Sequence, residues 1–294
     1  MHTELLQTFV VVVRTGSMTA AALELGVVQS TVSGHLRSLE RQFGVKLLDR
    51  HPHGVSPTEA GRRLAPIAQD LLDTQARMLS EVVSRDPHPS GRVGVAAPES
   101  LCAYRLAALI PALRSVAPDV SLRFSPATTG VALDAVRAGT VEIALVMEAE
   151  LAATDVRVER LGGEDLACLA APGMAAELGP SLSWQTLASH ETVLLEDGCS
   201  YTDATAARLL AAGQSSARRT HFGSIEAAKH CAIAGLGWTV LPRVAAEREL
   251  ATGSLVELDA PLPPMPSIYV VTNPHRTPTA AMVTVLRDIR SVWR

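Results

Sequence analysis

The chain is short of aromatic residues and of cysteine, and both shortages bound what it can be. Phe, Trp and Tyr make up only 3% of its 294 residues, so its cores must be built from Ala, Val and Leu. The four cysteines, Cys102, Cys168, Cys199 and Cys231, are scattered without a Cys-x-x-Cys, which argues against a zinc site or a disulfide framework. No apolar run reaches the ~18 residues of a membrane span. The stretch Met1–Val13 is apolar, but Glu4 interrupts it, and it has no basic leader or small-residue cleavage site. The expectation is a cytoplasmic protein with no membrane partner.

Enzyme signatures are missing as well. Gly235-Leu236-Gly237 lacks the third glycine of a dinucleotide fingerprint, and there is no nucleophile elbow, P-loop or His-Glu-x-x-His. The nine histidines have no ligand spacing. Catalysis, a bound metal and a cofactor are therefore not expected.

What is present is apolar and unevenly charged. A hydrophobic fraction of 47% and a mean hydropathy of +0.20 allow a large buried core. The length suits about two domains. From Met1 to Arg85, nine Lys and Arg stand against eight Asp and Glu; against chain totals of 26 and 30, the remainder is acidic. The basic excess peaks between His35 and Arg63, where Arg37, Arg41, Lys46, Arg50, Arg62 and Arg63 face only Glu40, Asp49 and Glu59. That distribution fits a small nucleic-acid module joined to a domain that must not adhere to nucleic acid.

The first segment carries the pattern of such a module. Leu5, Leu6, Phe9, Val10 and Val13 predict a helix ending before Gly16. Ser17 or Thr19 caps a second helix through Leu25, with Ala20, Ala21, Ala22 and Leu25 on its packing face. Gly26 supplies the turn. A third helix from about Gln29 to Phe43 buries Val32, Leu36, Leu39 and Phe43. Its other positions hold Ser30, Thr31, Ser33, Gly34, His35 and Arg37, side chains suited to base edges and phosphates. After Gly44, "VKLLDRHPHGVSPTEAG" reads as strand, turn, strand and a helix capped by Thr58, completing a winged helix-turn-helix.

The stretch "GSMTAAALELGVVQSTVSGHLRSLERQFGVKLLDRHPHGVSPTEAG" resembles the N-terminal signature of LysR-type transcriptional regulators. The match runs through Ser17, Ala21, Ala22, Leu25, Gln29, Val32, Ser33, Leu39, Glu40, Gly44, Leu47, Arg50, Thr58 and Gly61. It departs at Val28, where the family usually has a capping Ser, at Gly34 inside the helix, and at His53, where the wing often carries Arg. Double-stranded DNA is the implied partner. Gln29, Ser30, Thr31, Ser33 and His35 would read bases, and Arg37, Arg50 and His53 would contact the backbone.

From Thr58 to Ser84 the pattern stays helical, with Leu64, Leu71 and Met78 seven apart, as are Leu72 and Leu79. Such a repeat suits a helix that pairs with its own copy, although a helix packed on its own domain gives the same pattern. Pro66 should kink or loosen its first turns. Arg85-Asp86-Pro87-His88-Pro89-Ser90-Gly91 reads as a hinge. Residues 1–57 are thus the DNA-binding module and 58–90 the linker.

Beyond Gly91 strands alternate with helices: "RVGVAA", a helix Glu99–Val116, "VSLRFSP", a helix Gly130–Ala138, then "VEIALVM". This order implies an α/β fold with a parallel sheet. Further strands at "DLACLAAP", "TVLLED", "GWTVLP", "SLVEL" and "SIYVVT" suit a two-lobed, periplasmic-binding-protein-like domain over residues 91–294. One lobe spans about 91–160 with 268–294, the other about 161–267. The texts "RVGVAAPESL" and "HCAIAGLGWTVLPRVAAERELATGSLVEL" resemble the LysR effector domain.

That resemblance places a small-molecule effector between the lobes and implies a homodimer or homotetramer. Its candidate contacts are Glu99, Ser100, Thr128, Thr129, Cys199, Ser200 and Ser224, each of which also reads as an ordinary cap or turn residue. Glu99 biases such a pocket against a purely carboxylate ligand or seeks a cation. Two alternatives stand beside this reading: a cysteine-based redox sensor of the same fold acting through Cys199, and a solute-binding protein.

Overall fold

The structure is a computed structural model that describes residues 2–51, 54–83, 89–196, 198–213 and 218–293. His53 of the wing and the hinge residues Arg85–His88 lie outside the described residues, as does the side chain of Leu79.

Helix α1 (Thr3–Thr15) turns at Gly16 into α2 (Met18–Leu25), whose Ala20 N–H donates to the Ser17 hydroxyl at 3.3 Å. Gly26, at φ 67°, ends α2 in a left-handed conformation that a side chain would strain. The chain then enters α3 (Gln29–Phe43). Phe9, Val12, Ala21, Val32 and Leu39 are fully buried where the three helices meet. Two expectations fail at the edges of this core. Phe43, the last residue of α3, is 43% exposed, because the stripe has run past the neighbouring helices. Ala20 is exposed too, and Met18 is buried instead.

Strands β1 (Leu48–His51) and β2 (Gly54–Pro57) pair antiparallel, with Arg50 opposite Val55. The Glu40 carboxylate accepts from the Leu47 N–H at 2.9 Å and so ties the start of this wing to α3. Thr58 caps α4 (Glu59–Val83) by accepting from the Gly61 N–H at 3.1 Å. Gly61 is obligatory at this crossing: a Cβ on it would stand 2.1 Å from the Leu47 carbonyl oxygen. Helix α4 runs unbroken through Pro66.

The rest of the chain forms two five-stranded sheets. Lobe I contains β3 (Gly91–Ala97), α5 (Leu109–Val116), β4 (Val120–Pro126), α6 (Thr129–Arg137), β5 (Ile143–Glu148) and β6 (Arg157–Gly163). Lobe II contains β7 (Leu166–Ala170), α7 (Pro172–Leu178), α8 (Trp184–Ala188), β8 (Thr192–Leu195), α9 (Ser200–Ala211), β9 (Arg219–Phe222) and α10 (Ile225–Ile233). It continues through β10 (Trp238–Pro242), α11 (Glu247–Thr252) and β11 (Val256–Glu257). The chain then returns to lobe I as β12 (Ser267–Thr272) and α12 (Ala280–Ser291). The sheet orders are β4-β3-β5-β12-β6 and β11-β7-β10-β8-β9.

Neither sheet is wholly parallel, against expectation. β12 re-enters from the other lobe and runs antiparallel to β5 and β6, while β10 runs antiparallel to β7. Long crossovers allow the parallel pairs β3–β4, β3–β5, β8–β9 and β8–β10. The helix expected from Glu99 to Val116 is interrupted. Residues Leu101–Leu106 form a π-turn, and α5 starts afresh at Leu109. Pro111 explains the break, since it has no N–H for the Ala107 carbonyl, which instead accepts from Ile110 at 3.3 Å.

One apolar core runs through both lobes and includes Leu101, Leu106, Leu145, Leu169 and the fully buried Trp238. With few aromatics available, Ala, Val and Leu do most of the filling. Trp238 is the largest buried side chain, and its indole N–H donates to the Leu187 carbonyl at 3.1 Å.

Substituting Gly61→Ala should force α4 off Leu47 and destabilise the head by about 2–3 kcal/mol or more. Hydrogen exchange should then accelerate at α1 and α3 amides and stay unchanged in β5 and β12. Wild-type protection in α1 and α3 would refute the close approach.

Candidate functional site

Two regions of the fold can carry function. The first is the outer face of α3. Gln29, Ser30 and Arg37 are exposed there, with Thr31 and Ser33 half-buried beside them. Val28 precedes the helix without a side-chain cap; its carbonyl takes the Thr31 N–H at 3.0 Å, which leaves the Gln29 and Ser30 N–H groups as donors at the helix start. The Arg37 guanidinium folds back on the Ser33 carbonyl at 3.1 Å, within its own helix.

His35 is placed differently from its neighbours. Its Nδ1 lies 2.8 Å from the Thr8 hydroxyl, which donates its only proton to the Glu4 carbonyl at 2.8 Å. His35 Nδ1–H must therefore be the donor, and its ring is held against α1. Arg50 is exposed on β1.

The second region is a cavity of about 320 Å³ between the lobes. It lies at the C-terminal ends of β3, β4, β5, β8 and β9, where helix N-termini turn their N–H groups toward the gap. Glu99, Ser100, Thr128, Thr129, Cys199 and Ser200 all line it. Ser224 stands just behind the wall, and its hydroxyl donates to Glu99 Oε1 at 3.5 Å.

Hydrogen bonds cross the cleft. Glu99, after β3 in lobe I, accepts from the Ile225 N–H at the start of α10 in lobe II, at 3.0 Å. Ser200, opening α9, donates to the Met147 carbonyl at the end of β5, at 2.6 Å. Tyr104 in the π-turn donates to Glu226, which also pairs with Lys229 at 2.8 Å. Lys229 is buried, reaches Glu249 at 3.1 Å, and sits 5.5 Å over the Tyr104 ring. Burial alone would lower the Lys229 pKa, yet Glu226 and Glu249 outweigh it and raise the value. Arg105, the residue after Tyr104, grips the fully buried Glu164 with two bonds of 2.6 and 3.1 Å.

The cysteines near this cleft are poor nucleophiles. Burial raises the Cys199 thiol pKa, and burial with the nearby Glu99 charge pushes Cys102 to about 11. Tyr201 beside Cys199 is buried and raised well above the ordinary phenol value.

Several residues of the cleft escape a reading by sequence. Glu196, which follows β8, lines the cavity with Leu195, Phe222 and Ile225. Glu148 ends β5 and accepts the Thr129 hydroxyl. Both carboxylates occupy strand C-terminal ends, and that position is the signal that finds them.

The comparisons agree with this geometry. Residues 3–62 match the family model "Bacterial regulatory helix-turn-helix protein, lysR family", and residues 87–294 match "LysR substrate binding domain". The transcriptional regulator AbaB of Streptomyces antibioticus is 30% identical over 296 residues, covering 98% of this chain and 96% of AbaB. Full-length OxyR of Pseudomonas aeruginosa superposes with a TM-score of 0.74 at 22% identity, covering 100% of this chain and 95% of that one. Full-length LysG of Corynebacterium glutamicum with bound effector Arg superposes at 0.65 and 22% identity, covering 99% and 98%. The chain belongs to the LysR family, whose members are DNA-binding regulators and not enzymes. Among the described residues no helix is long and apolar enough to cross a membrane.

Two outcomes are expected. Arg105→Ala strands a buried carboxylate and should cost about 3–5 kcal/mol, read by chemical denaturation; an unchanged midpoint would refute the pairing. At neutral pH, Cys102 should carry roughly three hundredfold less thiolate than a free cysteine of pKa ~8.5. Iodoacetamide should therefore alkylate Cys102 far more slowly than glutathione, and Cys199 should lag as well, as followed by mass spectrometry. Rates equal to glutathione would show both thiols to be accessible and ionised.

Proposed function

We propose that this LysR-family chain is a cytoplasmic transcription regulator that binds interrupted palindromic DNA as a homodimer or homotetramer and responds to a small effector held between its lobes. Helix α3 carries the proposal. Its buried stripe packs the head, and its outer face presents Gln29, Ser30 and Arg37 beside an uncapped N-terminus. Gln29, Ser30, Thr31 and Ser33 read base edges. Arg37 and Arg50 fix the phosphate register, with His53 on the same wing. His35 supports this surface from its anchor on Thr8 and reaches DNA through its remaining ring edge.

Pairing of α4 with a second copy is supported by its unfilled apolar side. Ile67 is 63% exposed and Met78 61%, with Leu71 between them, whereas Leu64, Ala68 and Leu72 face the head's own core. An effector is supported by the interlobe cavity, whose size suits a small metabolite. Ligand binding would change the lobe arrangement and the spacing of paired heads, and hence the bend of the DNA. The raised cysteine thiols weigh against redox sensing, and a solute-binding protein has no use for the head.

The test is binding to the DNA upstream of the chain's own gene against a scrambled duplex across salt. The specific duplex should bind tighter with a steep negative salt slope. Arg37→Ala should weaken binding to all sequences and flatten that slope by roughly 1 per head. Equal, weak binding of both duplexes would overturn the assignment of this operator, and an unchanged slope in Arg37→Ala would remove α3 from the interface.

A further inference from the structure

Among the described residues, the charged side chains lining the interlobe cavity are all acidic: Glu99 and Glu196 line it, with no Lys, Arg or His beside them. Behind this wall Glu148 adds a third carboxylate through Thr129. The two lining carboxylates converge on one short turn. Glu99 Oε2 accepts from the Ile225 N–H at 3.0 Å, and Glu196 Oε2 lies 3.6 Å from where a Cβ on Gly223 would stand.

One source of positive potential in this cleft is already taken. At the N-terminus of α10 in lobe II, Glu99 from the opposite lobe already holds the place an anionic ligand would take. A carboxylate ligand at α10 would have to displace Glu99 or lie against it, with Glu196 close by. A neutral ligand would leave both carboxylates without a counter-charge in the cavity wall.

Ser100 supplies an independent pointer to a ligand. It is 2% exposed and lines the same cavity, and its hydroxyl makes no hydrogen bond among the described residues. Its hydroxyl lines the cavity without a protein partner among those residues, and a group bound there would provide one.

Resting on the reading of this cleft as the effector site, we propose that the effector is a small primary amine whose ammonium binds Glu99, Glu196 and the Ser100 hydroxyl. An ammonium has three donors and no acceptor, which matches three acceptors in number. Glu99 keeps lone pairs free while it caps α10, because a carboxylate has about four acceptor sites. Met147, Leu195 and Phe222 line the cavity around the apolar body of the ligand. The uncapped N-termini of α6 and α9 remain for any hydrogen-bond acceptor at its far end.

The test is isothermal titration of the full chain with benzylamine, n-butylamine and diaminobutane, against the matched acids benzoate, butyrate and succinate. Amines should bind and the acids should not. Glu196→Gln should weaken amine binding roughly tenfold or more without changing thermal unfolding, because Glu196 is exposed and makes no hydrogen bond or ion pair among the described residues. Glu99→Gln should weaken it as well, and Ser100→Ala should do so by a smaller factor. Binding of the acids alone, binding by none of the amines, or amine affinity unchanged in Glu196→Gln would overturn the proposal. Operator binding measured on the same preparation separates the two levels: with specific DNA binding intact, such a result removes the amine and leaves the regulator.

Discussion

The ion pair of Arg105 and Glu164 holds the geometry on which the cleft depends. Glu164 is fully buried in the first passage between the lobes, the turn from β6 to β7. Its N–H donates to the Pro266 carbonyl at 3.0 Å in the second passage, just before β12. One residue therefore ties both crossings together, and its carboxylate is held by Arg105 of the π-turn. Buried pairs of this kind are weak evidence for net stability, because desolvation offsets much of the attraction. Their value lies in specificity, since either partner alone is costly. The π-turn also sends Tyr104 across to Glu226, so the pivot and a bridge beside the cleft are set by neighbouring residues.

The head meets the same lobe that holds Arg105. Glu24 of α2 accepts from Arg14 within the head and from Arg92 of β3 at 3.2 Å. Further along, Asp70 of α4 pairs at 3.0 Å with Arg276, which is largely buried and follows β12. Desolvation lowers the Arg276 pKa, and Asp70 works against that shift. Exposed pairs such as Arg92–Glu24 are worth little individually. The Arg276 pair is the firmer of the two, because its guanidinium is packed and also donates to the Gly139 carbonyl at 3.1 Å. Head, linker and lobe I thus share contacts, while lobe II meets lobe I at the pivot and across the cleft. A ligand that changes the lobe angle acts on the element to which the head is attached, and linkage then requires DNA to act back on the ligand.

Much of this was legible in the residues. The third helix runs from Gln29 to Phe43 because an apolar period and the left-handed Gly44 mark its face and end. Strands β4 and β10 were readable as short apolar runs bounded by turns. β6 and β9 were not, because polar residues break their alternation: Arg157, Glu159 and Arg160 face solvent in one and Thr220 and His221 in the other, which erases the period-two signal. The antiparallel return of β12 depends on a passage between lobes that local pattern does not encode. Of the cleft, the strand-end serines and threonines were readable, and Glu148 and Glu196 could have been found only from their places at the ends of β5 and β8. The inward turn of His35 was equally hidden, since it depends on Thr8, 27 residues away.

The cleft is already bridged before any ligand is considered. Glu99 to Ile225, Ser200 to Met147 and Tyr104 to Glu226 join the lobes across the cavity mouth and its flank. A ligand shifts the lobe equilibrium only by the difference in its affinity for the two arrangements. One that merely replaced the Glu99 carboxylate at α10 would exchange one anion for another and gain little discrimination. One that binds Glu99 where it stands adds to the existing bridge and favours the bridged arrangement without breaking a bond. The contact that restricts an acid at α10 is therefore the one the proposed amine would use, so Glu99 would serve both as a bridge between the lobes and as a selector of ligand charge.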